Sequence, residues 1–392
     1  MHRVELIDSR DMENAKLRYF NFINACRKGE TEFGLTPRAE PTAFGRCFAV
    51  FGLHLIRRQD CIIELGTRLT SRLRDDIRDE RARFSSAPTT KSYRQLLTFT
   101  LSALAALQAL DEDPLADLVL EQVPDDIDKA LAEIGSLNGK AQSGNQAMFI
   151  AVFLLHARDM LGMDIGNKLE RWIDLHLASM NKFGFWGADT GMQHLLFQNG
   201  YHQYEILEYL GQSNPRVSEA VGAVRKLADS EGHFAPYPGG GGCFDYDAVF
   251  VLTPDGVIPD LSTEVLLQRI ITTLMAEQTS EGGWAESHYI RPRSLRGFMR
   301  FVTHAALALP NVPLFIERSR YALALQRSRY NRIHTHWSRY SRGWDEADLW
   351  DSWFRLLAVA RIQVAREPER AAEWGFIDFP GIGYHPSLSA KF

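Results

Sequence analysis

Apolar residues recur every three or four positions along most of the chain, in segments of roughly 12 to 25 residues that end at clusters of Gly, Pro, Asn or Ser. Leu96, Leu97, Leu101, Leu104 and Leu107 follow this rule. So do Ile270 and Leu274, in a segment opened by Pro259 and closed near Ser280. The period-two alternation of a half-buried strand is almost absent. The pattern predicts an all-α protein.

The loops between these segments share a form. Several combine glycine with an aromatic residue and then enter a helix rich in small and apolar side chains. They are Cys26 to Phe51, Phe183 to Gly211, Glu231 to Leu252, Glu277 to Ser287 and Trp337 to Ile362. Their starts recur roughly every 45 to 55 residues, the range of helical repeats whose faces are buried only when neighbours stack. The helix after each loop is the more apolar one, as expected of an inner ring shielded on both sides. More charged partners, such as Leu115 to Ile134 and Pro313 to Arg332, are expected outside it. The pattern predicts an α/α toroid of six to seven helical hairpins over residues 1–392, the seventh around Cys61 to Leu110. Arg78 to Thr90 is the one segment that reads as a loose loop.

At these loops the chain resembles the terpenoid cyclase and protein prenyltransferase toroid superfamily, whose repeats place Gln or Cys and then Gly-Gly-Phe or Gly-Gly-Trp before an inner helix. Phe22 to Leu55 is similar to a first prenyltransferase-type repeat, and Gln278 to Trp284 to a QxxxGGW element. The resemblance implies a toroid with a central site. Class II terpene cyclases protonate an alkene or epoxide with the middle Asp of a DxDD motif. The matching segment, Asp245-Tyr246-Asp247-Ala248, keeps DxD but ends in alanine. Protein prenyltransferases hold zinc with an Asp, a Cys two residues later and a distant His. Here Cys243 stands where the Cys would be, Gly241 where the Asp would be and Asp351 where the His would be. No metal and no cofactor is therefore expected.

Four constellations could carry chemistry. In the first, Asp245 and Asp247 follow the run Gly239 to Gly242, beside Tyr246. Two nearby carboxylates raise one another's proton affinity, which suits a general acid. In the second, Asp348 and Asp351 share a helix face within a segment carrying Trp344, Trp350 and Trp353. Aromatic faces there would stabilise a carbocation or pack on a sugar ring. The third holds His202 and Glu205, three apart, beside Tyr204. The fourth is the stripe Arg293, Arg296 and Arg300, suited to a diphosphate or a uronic acid. Trp284, in the glycine loop, joins the candidate binding residues.

Hydrophobic residues make up 45% of the chain, and its net charge is −5 with both signs interspersed. That average gives no footprint for nucleic acid or for acidic membranes. The four cysteines are scattered, residues 1–18 lack the apolar stretch of a signal peptide, and no run of about 18 apolar residues occurs. A cytoplasmic protein is expected. No Walker loop, GxGxxG, HExxH or GxSxG is present.

Three readings follow. The first is a cyclase-like enzyme, of lyase or isomerase type, that acts by acid catalysis on an isoprenoid or similarly apolar small molecule. The second is a carbohydrate-active toroid that hydrolyses or eliminates an acidic oligosaccharide. The third is a non-catalytic ring that binds a ligand or partner.

Overall fold

The computed structural model describes residues 8–83, 90–111, 115–287, 289–290, 294–327 and 332–388. It is built from pairs in which an amphipathic outer helix leads into an apolar inner one. The first two pairs are α1 (Ser9–Cys26) with α2 (Ala43–Leu55), and α3 (Gln59–Arg83) with α4 (Lys91–Ala106). In the third, the short α5 (Ala116–Leu120) and α6 (Ile127–Ile134) precede α7 (Ser143–Asp159). Then come α8 (Lys168–Ala178) with α9 (His194–Tyr209), and α10 (Val217–Arg225) with α11 (Gly242–Leu252). Several helix starts, though not those of α4, α7, α9 and α11, are fixed by N-cap side chains that satisfy otherwise orphaned N–H groups. Thr42 Oγ1 accepts from the Gly45 N–H at 3.0 Å before α2, and Asp126 Oδ1 from the Lys129 N–H at 3.1 Å before α6.

The sixth pair is interrupted. Helix α12 (Leu261–Ala276) leads to β1 (Trp284–Ala285), after which the chain leaves the ring through α13 (Leu295–Ala306) and α14 (Val312–Arg327). It returns through a hairpin of β2 (Arg332–Ile333) with β3 (Arg342–Gly343) and then β4 (Ala347–Asp348) into α15 (Leu349–Arg366). Strands β1 and β4 pair antiparallel, Trp284 opposite Asp348. The excursion is thereby closed at its base, and α15 occupies the place that a continuous sixth hairpin would give its inner helix.

Helices α2, α4, α7, α9, α11 and α15 each pack on the next, and α15 packs back on α2. The protein is an all-α toroid, and its inner helices form a closed ring of six. Their residues are almost all buried, whereas the outer helices bury only one stripe. Segment Cys61 to Leu110 supplies the second pair, so the ring has six hairpins and no seventh. Two expectations change with it. The Gln278 to Trp284 loop opens no inner helix of its own, because the excursion intervenes before α15. Segment Pro313 to Arg332 is not an outer helix of the ring, since α14 packs mainly on α13.

The far end of the ring is covered by the C-terminal segment, where Trp374, Phe376, Ile377, Phe379, Ile382 and Tyr384 are buried. Gly375 N–H donates to Leu55 O at 3.0 Å, and the Tyr384 ring packs 4.8 Å from that of Tyr209. The near end, at the starts of the inner helices, stays hollow. Among the described residues no helix is long and apolar enough to cross a membrane.

Candidate functional site in the ring

The central hollow is a cavity of about 130 Å³ walled by the N-terminal halves of five inner helices. Each of four helices contributes a pair four residues apart, which one turn of α-helix places on a single face. These are Lys91 and Gln95 from α4, Gln198 and His202 from α9, Cys243 and Asp247 from α11, and Trp350 and Phe354 from α15. Asn145 of α7, Tyr201 of α9, His336 and Trp337 of the β2–β3 hairpin and Ile382 of the C-terminal segment complete the wall. The lining has two arcs. Lys91, Gln95, Asn145, Gln198 and His202 form a polar one, and Trp337, Trp350 and Phe354 an aromatic one.

Asp247 stands between the arcs. Its side chain is 1% exposed, and Oδ1 has no hydrogen-bond partner. Removal from water pushes its pKa well above the usual aspartate value, and the carboxyls of Glu205 and then Asp245 add to the shift. Glu205 lies fully buried behind it, and burial drives its pKa up too. The Tyr201 hydroxyl is buried beside both carboxyls and partly offsets the upward shift of each. His202 Nε2 lies 2.7 Å from Asn145 Nδ2. Its ring is neutral, since burial and then the Lys91 charge lower its pKa to about 3. Burial thus favours the neutral form of Asp247, of Glu205 and of His202.

Asp245, two residues before Asp247, faces elsewhere. It accepts from the Phe234 N–H at 2.9 Å and lies 3.3 Å from His233 Nδ1 and 3.6 Å from Arg355 Nη1. Glu277 reaches the same His233 and Arg355 at 3.0 and 2.8 Å. Burial opposes charge on His233, but Asp245 and Glu277 outweigh it and push the pKa up to about 10. The glycine run serves this ion network. Gly240 takes φ +78°, and a Cβ there would lie 2.5 Å from both Asp245 Oδ2 and His233 Nδ1.

A third acidic group borders a second cavity of about 160 Å³, outside the ring of inner helices and lined mainly by the segments before α2 and α15. Asp348 caps α15, accepting from the Asp351 N–H at 2.7 Å. Arg342 reaches Asp348 at 2.7 Å, Asp351 at 2.5 Å and Glu286 at 3.2 Å, and Tyr237 donates to Glu286. Three carboxyls share one guanidinium, and burial holds the pKa values of Glu286 and Asp348 above the carboxylate range. Trp337 and Trp350 line both cavities, their rings 4.2 Å apart, and form the partition between them.

The structure thus gathers Asp247, His202 and Trp350 at one cavity with Glu205 behind it, and puts Asp348 at the outer cavity with Asp351 behind Arg342. The other candidates lie apart. Trp284 donates from Nε1 to Leu274 O at 2.6 Å and packs edge-on to Tyr19. Trp353 is buried among Phe48, Phe51 and Phe354. Tyr246 packs on Tyr201 and Phe354, and Tyr204 donates to Gly184 O beside Phe185 and Trp186. Trp344 packs on Tyr237 under the excursion. Arg296 is exposed on α13, and Arg293 lies outside the described residues. Among the described residues no group of three His, Cys, Asp or Glu side chains could hold a metal ion.

No protein-family model matches the chain, and no curated protein matches it. Among solved structures, the type II terpene cyclase MstE from Scytonema, in its apo form, is similar at a TM-score of 0.48 and 14% identity. A variant of that cyclase in complex with its substrate, geranylgeranyl dihydroxybenzoate, is similar at a TM-score of 0.47 and 13% identity. In each comparison 91% of this chain and 98% of that chain are covered. The assignment of the site rests on this chain's own geometry.

Proposed function

We propose that the ring catalyses a proton-initiated reaction of an isoprenoid or similarly apolar small molecule, with Asp247 as the acid. The observation that carries this reading is the state of Asp247: buried, unpaired at Oδ1, and driven to its neutral form beside Trp337, Trp350 and Phe354. A carboxylic acid that keeps its proton near neutral pH can give it to an alkene or epoxide. The carboxyl O–H bond breaks, a C–H or O–H bond forms on the substrate, and positive charge develops on carbon. The aromatic arc stabilises that charge through ring quadrupoles, at about 2 kcal/mol or more per desolvated contact. A cavity of about 150 Å³ takes one benzene ring. The ring cavity, at about 130 Å³, is of that order and takes the reacting end of a substrate.

The polar arc supports a second reading, in which a sugar ring stacks on Trp350 and is hydrogen-bonded by Gln95, Asn145 and Gln198. Glycoside hydrolysis needs an ionised carboxylate beside the acid. Burial drives both Asp247 and Glu205 the other way, which favours the first reading.

The test is incubation in D₂O with acyclic isoprenoid alcohols and their epoxides, with products read by mass spectrometry. Alkene protonation should leave one carbon-bound deuterium in the product, whereas epoxide opening should give a rearranged alcohol whose hydroxyl deuterium exchanges away. Asp247→Asn should lower the formation of either product by roughly 10²-fold or more. Full turnover by Asp247→Asn would exclude this residue as the acid.

A further inference from the structure

The α13–α14 excursion buries only part of its apolar surface. One stripe of α13, with Phe301, His304 and Ala305, is buried. The adjoining stripe is Leu295, Phe298, Met299 and Val302, spaced i, i+3, i+4, i+7, and these are 79, 51, 51 and 44% exposed. Val312, Ile316 and Leu323 of α14 are exposed as well. Ten of the nineteen large apolar side chains exposed among the described residues lie between 295 and 323. Such a concentration marks a surface that meets something apolar.

Charge identifies the partner. Residues 291–332 hold nine arginines and one acid, Glu317, in a chain whose net charge is −5. Arg318 is buried, donating to His304 O and Leu227 O, and does not belong to the surface charge. Glu317 is turned inward, accepting from the Leu195 N–H and lying 2.9 Å from His194 Nδ1. Arg296 and Arg320 are exposed near the apolar stripes. The whole-chain charge average conceals this cationic pole.

We propose that the α13–α14 hairpin docks on an anionic lipid surface, its apolar stripes entering the interface and its arginines meeting headgroup phosphates. A twofold contact between copies of the chain would oppose arginine to arginine. In sequence the hairpin precedes β2 and the segment that carries Trp337, which lines the ring cavity, so docking would bring that cavity near a reservoir of apolar molecules. This inference does not depend on the role of Asp247.

Flotation of the full-length protein with phosphatidylcholine vesicles, with and without phosphatidylglycerol, tests it. The wild type should float with the anionic vesicles only, and less as salt rises. Phe298→Ser with Met299→Ser should weaken binding at least tenfold. Arg296→Gln with Arg320→Gln should weaken it roughly fivefold per arginine. All four positions are exposed, so unchanged melting temperature and circular dichroism serve as the folding control. Three results would overturn the proposal: wild type left behind by anionic vesicles at low salt, flotation indifferent to these changes, or a concentration-dependent dimer that Phe298→Ser abolishes.

Discussion

His202 Nε2 accepts a hydrogen bond from Asn145 Nδ2 at 2.7 Å, which joins α9 to α7 and leaves the imidazole proton on Nδ1, 3.9 Å from Glu205 Oε2. The folded protein keeps this ring neutral down to about pH 3, whereas its ordinary pKa is 6.5. Between those values the unfolded chain binds a proton that the folded chain refuses. Stability therefore falls as the pH drops below about 6.5, with a slope from this residue of about 1.4 kcal/mol per pH unit. His202→Gln should remove that slope. Urea unfolding near neutral pH and at about pH 5 checks it, and equal acid sensitivity in the two proteins would refute the assignment.

Arg342 makes ion pairs with Asp348, Asp351 and Glu286 together. Arg342→Met removes the compensation and leaves the carboxyls buried, at a cost of about 3–5 kcal/mol. The raised carboxyl pKa values give the deficit a direction with pH. It should be largest at alkaline pH, where ionisation is demanded, and shrink as acid neutralises the group. Thermal unfolding at several pH values reads this out. A deficit that does not change with pH would mean that Arg342 acts through packing alone.

The approach of α11 to α15 depends on Gly242. Its N–H donates to Asp351 Oδ1 at 3.1 Å, and a Cβ there would lie 2.7 Å from the Asp351 Cα. Gly242→Ala should cost about 1–3 kcal/mol by forcing the two helices apart. Denaturant unfolding measures the loss, and a variant as stable as wild type would show that the interface yields freely.

The ring was legible in the sequence because its cause is local: apolar residues at helical spacing, punctuated by glycine loops. The last inner helix was harder to read. Trp284 and Asp348 pair across an excursion of more than sixty residues, and nothing in either segment's periodicity reports that distance. Part of the site was legible as well. Polar side chains four apart in otherwise apolar helices, such as Gln198 with His202 and Lys91 with Gln95, mark the cavity face as well as the paired acids do. Asp245 and Asp247 show where sequence alone runs out. Two residues apart, they point about 200° apart around the helix. One enters the His233–Arg355 network and the other the cavity, and only the position of the neighbouring helices decides which. Arg296 was read with Arg300 as an anion-binding stripe, but the exposure of the face beside it depends on how α13 packs.

Asp247 is the central claim, and its protonation can be observed without knowing the substrate. Carbon-13 NMR of protein labelled at the aspartate Cγ, with the Asp247 signal identified by its absence in Asp247→Asn, measures it directly. The account predicts a carboxylic-acid resonance for Asp247 at neutral pH that stays unchanged as the pH is lowered. A carboxylate resonance at neutral pH, titrating near the ordinary aspartate value of about 3.9, would contradict it.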